Sequence, residues 1–308
     1  MDLSTGKPIE ITHKKLFDEY FQKYPPENSE FTFTNLFMWR NYYNFLFMEF
    51  KEHIILFSND YLKNRRKPIN TDSKDYIYFF PPIGPNPDEI IIELFENNSN
   101  IEIHRVPEKI CEKLTQNEKF NKLNMDHLED RNNWDYVYNK EDILNLAGNK
   151  YRQNRRWLQK FLSNYNYDFK LITEDLVEKC KELQLEWCII RACTEDESLE
   201  AEQEAIYEAL DNFEALGFSG GLLCVDDKCA AYTFGEMLND GTLVIHIEKA
   251  HAEYEGAYQA INNFFLKSCY EDAIYVNREQ DLGIEGLRRA KESYKPINMI
   301  KKSIIFKT

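Results

Sequence analysis

The sequence has no apolar run approaching the roughly 18 residues that a membrane-crossing helix needs. The longest candidate, Tyr43-Asn-Phe-Leu-Phe-Met-Glu-Phe50, is short and interrupted. A secretory leader is missing too, because Met1-Asp-Leu-Ser-Thr-Gly-Lys-Pro8 has no apolar core. These absences predict a cytoplasmic protein without an integral membrane segment. Zinc-binding cysteine pairs are also absent. The 7 cysteines are odd in number, none forms Cys-x-x-Cys, and Cys180, Cys188 and Cys193 lack the spacing of a zinc site. No metal site is expected, and all thiols are expected free in a reducing compartment; Cys224 and Cys229 flank a predicted hairpin turn where they could face each other. Positive charge is in deficit. Lys plus Arg number 38 against 53 Asp plus Glu, a net charge of −15. Such a surface repels bulk nucleic acid, whose non-specific binding needs cations on phosphates, but it leaves room for a local basic groove.

What is present is core material. Hydrophobic residues make up 43% and aromatics 14% of 308 residues, which excludes a disordered chain and allows two domains. The first half reads as a helix over 10–24 stopped by Pro25-Pro26, an aromatic-rich segment Phe31–Arg40, and a hairpin Tyr43–Phe50/His53–Ser58. A polar loop with Lys63, Arg65, Arg66 and Lys67 follows. Then come the strand Tyr76–Phe80, a helix Pro87–Glu96, a strand Ile101–Val106, a helix Pro107–Leu114 and a strand Phe120–Met125. No catalytic constellation is legible there. A second α/β set starts near Asp130: strand Tyr136–Tyr138, a turn capped by Asn139, helices, antiparallel strands with turns at Asp226-Asp227 and Asn239-Asp-Gly241, and a final strand Met299–Phe306. Two domains are therefore expected, 1–130 and 131–308.

One stretch breaks the strand rules. Thr242–Asn262 reads as a strand running into a helix after Gly256. Simple alternation puts Val244, His246 and Glu248 on one face and Leu243, Ile245 and Ile247 on the other. A strand buried on both faces should be apolar throughout, so His246 and Glu248 read either as functional groups or as a pair on a half-solvated strand. A second signal lies in Lys150–Leu162. At helical spacing Arg152, Arg155, Arg156 and Lys160 share one face, opposite Tyr151, Trp157, Leu158 and Phe161. Guanidinium forks suit phosphate oxygens; the alternative is a solvated helix face.

The element order resembles the GNAT acyltransferase fold, and several motifs are more specific. Trp39-Arg40, Tyr136-Val-Tyr138, Lys150-Tyr-x-x-x-Arg155, His246-Ile-Glu-Lys-Ala250, Gly256-Ala-Tyr-x-x-Ile-Asn262, Asn277-Arg-Glu-x-Asp-Leu-Gly-x-Glu-Gly-Leu-Arg288 and Lys291-x-Ser-Tyr-x-Pro296 look like the phosphatidylglycerol lysyltransferase C-terminal domain family. Within it, they look like its soluble bacterial branch. The resemblance covers nearly the whole chain. It implies an α/β fold of two tandem GNAT-like domains with mixed twisted sheets, the first degenerate and the second bearing the motifs. It further implies kinship with enzymes that transfer an aminoacyl group from tRNA but assigns no substrate; the expectation is an acyl or aminoacyl transferase, with aminoacyl-tRNA as donor and an amine or hydroxyl on a small molecule, lipid or peptide as acceptor. The membrane-embedded part of the lysyltransferases has no counterpart in this sequence.

Direct transfer needs a base, an oxyanion stabiliser and an acid for the leaving group. His246 or Glu248 is the expected base. Asn277 would polarise the carbonyl, and Tyr294 stands roughly where GNAT enzymes keep a tyrosine acid. Arg152, Arg155, Arg156 and Lys249 are expected to meet donor phosphates near Gly256. Acyl-CoA-using GNAT enzymes carry Arg/Gln-x-x-Gly-x-Gly/Ala here, with backbone amides cradling a pyrophosphate. Aligned on Gly256, this chain has Glu253 and Tyr258 at the outer positions and Glu255 beside the glycine. Acetyl-CoA is therefore the less favoured donor, and no cofactor is expected. An acyl-CoA-dependent N-acetyltransferase and a non-catalytic binding protein on the same scaffold are the alternatives.

Overall fold

A computed structural model describes residues 1–59, 68, 69 and 76–308. The expected basic loop residues Lys63, Arg65, Arg66 and Lys67 lie outside the described residues. The chain forms two units, Met1–Asp135 with Ile300–Thr308, and Tyr136–Met299.

The strands are Lys7–Pro8 (β1), Leu46–Phe50 (β2), His53–Ser58 (β3), Ile77–Phe79 (β4), Ile101–Pro107 (β5), Met125–Glu129 (β6), Asp135–Asn139 (β7), Tyr167–Leu171 (β8), Ser219–Val225 (β9), Lys228–Asn239 (β10), Thr242–Ala250 (β11), Tyr275–Asn277 (β12), Asn298–Ile300 (β13) and Lys302–Lys307 (β14). They make two seven-stranded mixed sheets, ordered β1-β2-β3-β4-β5-β14-β6 and β8-β9-β10-β11-β12-β7-β13. Both sheets repeat one pattern. Three antiparallel pairings are followed by a parallel one, β4–β5 in the first sheet and β11–β12 in the second, and then by an antiparallel one.

The sixth place in each sheet is filled out of turn. In the second sheet it is taken by β7, the unit's first strand in the chain. In the first it is taken by β14, the last strand of the chain. The expected boundary 131–308 is therefore corrected at its far end: the C-terminal strand pairs with β5 and β6. Its sequence, Ser303-Ile-Ile-Phe306, suits an interior position, whereas β6 is largely exposed and polar, as an edge strand must be. Phe120–Met125 is also corrected. Glu118–Lys122 is helical behind an Asn117 cap, and the strand begins only at Met125.

The local signals that held are those with a backbone cause. Asp226 and Asp227 both take positive φ, 48° and 67°, as a two-residue hairpin turn demands. Cys224 and Cys229 are register partners across that hairpin and stay free thiols. Asn139 Oδ1 accepts the Asp142 amide at 3.2 Å and caps the helix Lys140–Asn145. The expectation of free thiols throughout is corrected at one pair: Cys188, in the helix Val177–Arg191, is joined by a disulfide to Cys193 just beyond it.

The core of the second unit lies between its sheet and the helices Arg152–Asn164 and Ala257–Ser268. Phe161, Leu243, Ile245, Ala260, Ile261 and Phe265 are central to it. The glycine between the two helices is required. Gly256 sits at φ +86°, and a Cβ there would lie 2.2 Å from the Trp157 carbonyl oxygen. Only glycine lets the first helix pass this close to the start of the second.

Candidate active site

The site is made by an irregularity in β11. Phe234 pairs with Ile247 but Gly235 pairs with Ile245, so His246 is the extra residue of a β-bulge. The bulge switches the side-chain alternation. Leu243, Ile245 and Ala250 join the helix-packed core, and Glu248 turns to the same helix, where its Oε2 accepts Asn262 Nδ2 at 3.0 Å. The single-face grouping of Val244, His246 and Glu248 is thus corrected. Gly235 makes the bulge feasible, because a Cβ there would lie 2.1 Å from the Val244 carbonyl oxygen. β12 pairs with β11 only at Thr242–Val244 and ends at Asn277, while β11 runs on to Ala250. The residues after β12 leave the ladder beside Glu248.

His246 is bridged on both sides. Its Nδ1 lies 2.9 Å from Glu279 Oε1 and its Nε2 lies 3.0 Å from Glu236 Oε1. Burial disfavours the charged ring, but the two carboxylates outweigh it and raise the pKa to about 9. At neutral pH the ring is an imidazolium with no lone pair to offer. Both ring nitrogens are taken up by carboxylates, and the ring ties β10, β11 and the segment after β12 together.

Glu248 keeps the other expectation open. Its carboxylate holds Arg278 Nη2 at 2.7 Å on Oε1, and its side chain is 10% exposed. The Arg278 guanidinium carbon lies 4.7 Å from the centre of the Tyr294 ring. Tyr294 follows the helix Glu285–Ser293 and is buried. Burial pushes its hydroxyl up to about 12 against the opposing pull of Arg278, while Asn154 and Gln259 hydrogen-bond it. Tyr294 therefore carries its proton at neutral pH, as a general acid must.

The remaining expected residues are placed differently. Asn277 is fully buried, and its Oδ1 accepts the Glu279 amide at 2.8 Å, so it shapes the turn that delivers Arg278. Lys249 is buried, 2.6 Å from Glu202 and 3.8 Å above the Trp187 ring; it is committed within the fold, which corrects its role as a phosphate contact. The four-cation stripe is also corrected in part. Arg155 donates from Nη1 to the Leu146 and Gly148 carbonyls, Lys160 pairs with Glu255, and Arg152 and Arg156 remain exposed.

Around Gly256 the turn is filled from within. The Tyr165 hydroxyl donates to Glu253 O at 3.2 Å and accepts the Glu255 amide at 3.2 Å, and the Ala257 amide donates to Tyr254 O. The long motif after β12 is a clamp. Asp281 is fully buried and accepts Arg288 Nε at 2.8 Å, Arg288 Nη2 at 2.9 Å, the Tyr136 hydroxyl at 2.7 Å and the Gly283 amide at 2.8 Å.

Sequence reasoning missed Arg278, Glu236 and Glu279 as members of this cluster. Two signals were present: Gly235 inside a strand pattern, which marks a bulge, and Asn262 on the apolar stripe of its helix.

A crystal structure of a conserved protein of unknown function from Bacteroides thetaiotaomicron is 30% identical, covers 99% of each chain and superposes with a TM-score of 0.86. The structure of L-PGS from Bacillus licheniformis shares the fold at a TM-score of 0.63, with 10% identity, over 95% of this chain and 91% of that one. An uncharacterised protein of Mycoplasmoides gallisepticum is 26% identical over 176 residues, 55% of each sequence, so the match spans about half the length of that relative. The architecture, two seven-stranded mixed sheets with helices packed on them, is the one shared with the L-PGS structure. The family profile described as phosphatidylglycerol lysyltransferase, C-terminal, matches residues 21–306, and the chain belongs to that family.

Proposed function

We propose that the protein is an aminoacyl transferase that moves an aminoacyl group from aminoacyl-tRNA to an amine or hydroxyl acceptor. The observation that carries this is the triplet of Glu248, Arg278 and Tyr294: a carboxylate and a protonated phenol gathered at one guanidinium. Glu248 takes the acceptor's proton and Tyr294 gives one to the leaving hydroxyl. His246, Asn277 and Asp281 hold the segment that carries Arg278.

The surroundings of Gly256 support an aminoacyl over an acyl-CoA donor. A pyrophosphate needs free amides and no adjacent negative charge at a helix start. Here Trp157 O presses on Gly256, Tyr165 takes the Glu255 amide, and Glu253 and Glu255 flank the turn. Arg152 and Arg156 supply exposed cations for a nucleic-acid donor. The family name and the L-PGS likeness make lysine the first aminoacyl group to try.

The test is radiolabel transfer, with charged tRNAs and acyl-CoAs offered in parallel to lipid, peptide and small-molecule acceptors. The expected result is label leaving charged tRNA only, with Tyr294→Phe slowing it about 100-fold at unchanged melting temperature. Saturable acetyl-CoA binding with acetyl transfer would replace this reading with a plain N-acetyltransferase.

A further inference from the structure

Arg278 has more hydrogen-bonding capacity than the fold uses. Its Nη2 is spent on Glu248. Its Nη1 is closed off from solvent and makes no well-formed hydrogen bond, although the guanidinium also interacts with the Tyr294 side chain; among the described residues of Tyr136–Met299 it is the one buried side-chain nitrogen or oxygen so placed. Buried donors are almost always satisfied, so an orphan in a polar cluster marks a seat for an acceptor that comes and goes. The surrounding fold goes to some length to place this guanidinium. Asn277 forms the turn before it, the Lys291 ammonium binds its backbone carbonyl, and the Tyr138 and Tyr294 rings lie 6.0 Å and 4.7 Å from its central carbon. The side chain as a whole is 13% exposed, so the cluster lies just beneath the surface.

Resting on the transferase reading above, we infer that Arg278 is a catalytic residue whose Nη1 receives the oxygen of the reacting carbonyl. Glu248 neutralises one edge of the guanidinium, so the other edge faces a neutral ester carbonyl without holding a permanent anion. It binds more strongly as negative charge develops. The acceptor nitrogen or oxygen attacks the ester carbon, forming the new bond, and the carbonyl electron pair moves onto the oxygen beside Nη1. Glu248 removes the acceptor's surplus proton. The carbonyl then re-forms, the carbon–oxygen bond to the ribose breaks, and the departing oxygen takes the Tyr294 proton. The two protons balance: one is gained at Glu248 and one is lost from Tyr294.

The experiment uses an adenosine ribose-linked aminoalkylphosphonate, a charged tetrahedral mimic of the attacked ester, against the full chain and its Arg278→Lys and Arg278→Gln variants. Binding is followed by calorimetry and by NMR of the arginine side chains, and transfer from charged tRNA is measured alongside. The expected result is saturable binding that shifts the Arg278 guanidinium resonances. Both variants should lose about 100-fold in affinity for the mimic and in kcat, with KM little changed. Arg278→Lys keeps a charge against Glu248, so it tests the seat even if Arg278→Gln fails to fold. Unmoved resonances, or equal affinity in the lysine variant, would overturn the inference. Transfer that survives in the variants would overturn it while the aminoacyl reading stands. A mimic that binds through Arg278 in a protein that transfers nothing would overturn the aminoacyl reading and reduce Arg278 from a catalytic residue to a binding seat.

Discussion

In the first unit Lys302 is fully buried, and its ammonium meets Glu30 at 2.6 Å and Asp135 at 2.6 Å. In the second unit Arg278 meets Glu248 at 2.7 Å through Nη2. The sheets repeat the same strand pattern, yet buried charge is used differently in each. Around Lys302 the contacts knit distant segments together. Arg105 bridges Glu30 and Asp130 at 3.0 Å each, Ser29 donates to both Asp135 oxygens, and Trp134 Nε1 donates to the Lys302 carbonyl. These contacts fasten β14, the strand that returns from the far end of the chain. Around Arg278 one nitrogen is left without a well-formed hydrogen bond. A closed ion cluster specifies where a strand goes; an open one is free to act on something else.

The sharpest way to break the comparison is Lys302→Ala. It leaves two carboxylates buried without their cation, and burial already holds the Glu30 carboxyl above its ordinary range despite Lys302. Removing one partner of a buried pair costs about 3–5 kcal/mol. Urea unfolding should show a loss of that size, and a change below about 1 kcal/mol would mean that β14 is held by its ladder alone.

Next in size is the His246 bridge. Its folded pKa of about 9 lies above its ordinary value of 6.5, so its contribution is complete below the unfolded pKa and is lost as pH rises through 9. The shift corresponds to at most about 3 kcal/mol. Thermal unfolding from pH 7 to 10 should fall more steeply for the wild type than for His246→Gln. Parallel slopes would remove the bridge from the account.

Gly235→Ala is expected to cost about 1–3 kcal/mol, because the new methyl group would meet the Val244 carbonyl and displace the bulge. The matched control is Gly286→Ala in the helix Glu285–Ser293, where a Cβ meets nothing within 4 Å and a gain of about 0.5–1 kcal/mol follows from helix propensity. Equal effects at the two glycines would show that the bulge is not anchored there.

The smallest effect on stability belongs to Arg152→Ala with Arg156→Ala, within about 0.5 kcal/mol for exposed side chains. Their effect should appear in tRNA binding, as weaker affinity and a flatter salt dependence. An unchanged salt slope would make this stripe a solvated helix face.

Local chemistry made much of this legible from the residues. Turns at Asp226-Asp227 and Asn239-Asp-Gly241, the Asn139 cap and the amphipathic helix over Arg152 follow from backbone φ, capping and helical period, all short-range causes. The motif around Asn277 to Arg288 was visible as a pattern, but its use was not. Asp281 serves Arg288, Tyr136 and Gly283 at once, and Tyr136 lies 145 positions away in the chain.

By itself the sequence determined the α/β class, the doubled element order, the family, and the concentration of unusual polar residues between Thr242 and Tyr294. Each of these is written in local periodicity or in residue identity. Only the tertiary structure decided that His246 is bridged by two carboxylates, because these come from β10 and from beyond β12. It alone decided that Lys249 is spent on Glu202 and Trp187, and that the bulge turns Glu248 toward Arg278. It also decided that the last strand completes the first sheet. Strand pairing and ion pairing join residues far apart in sequence, and a one-residue bulge reverses every side chain beyond it; neither leaves a periodic trace in the chain.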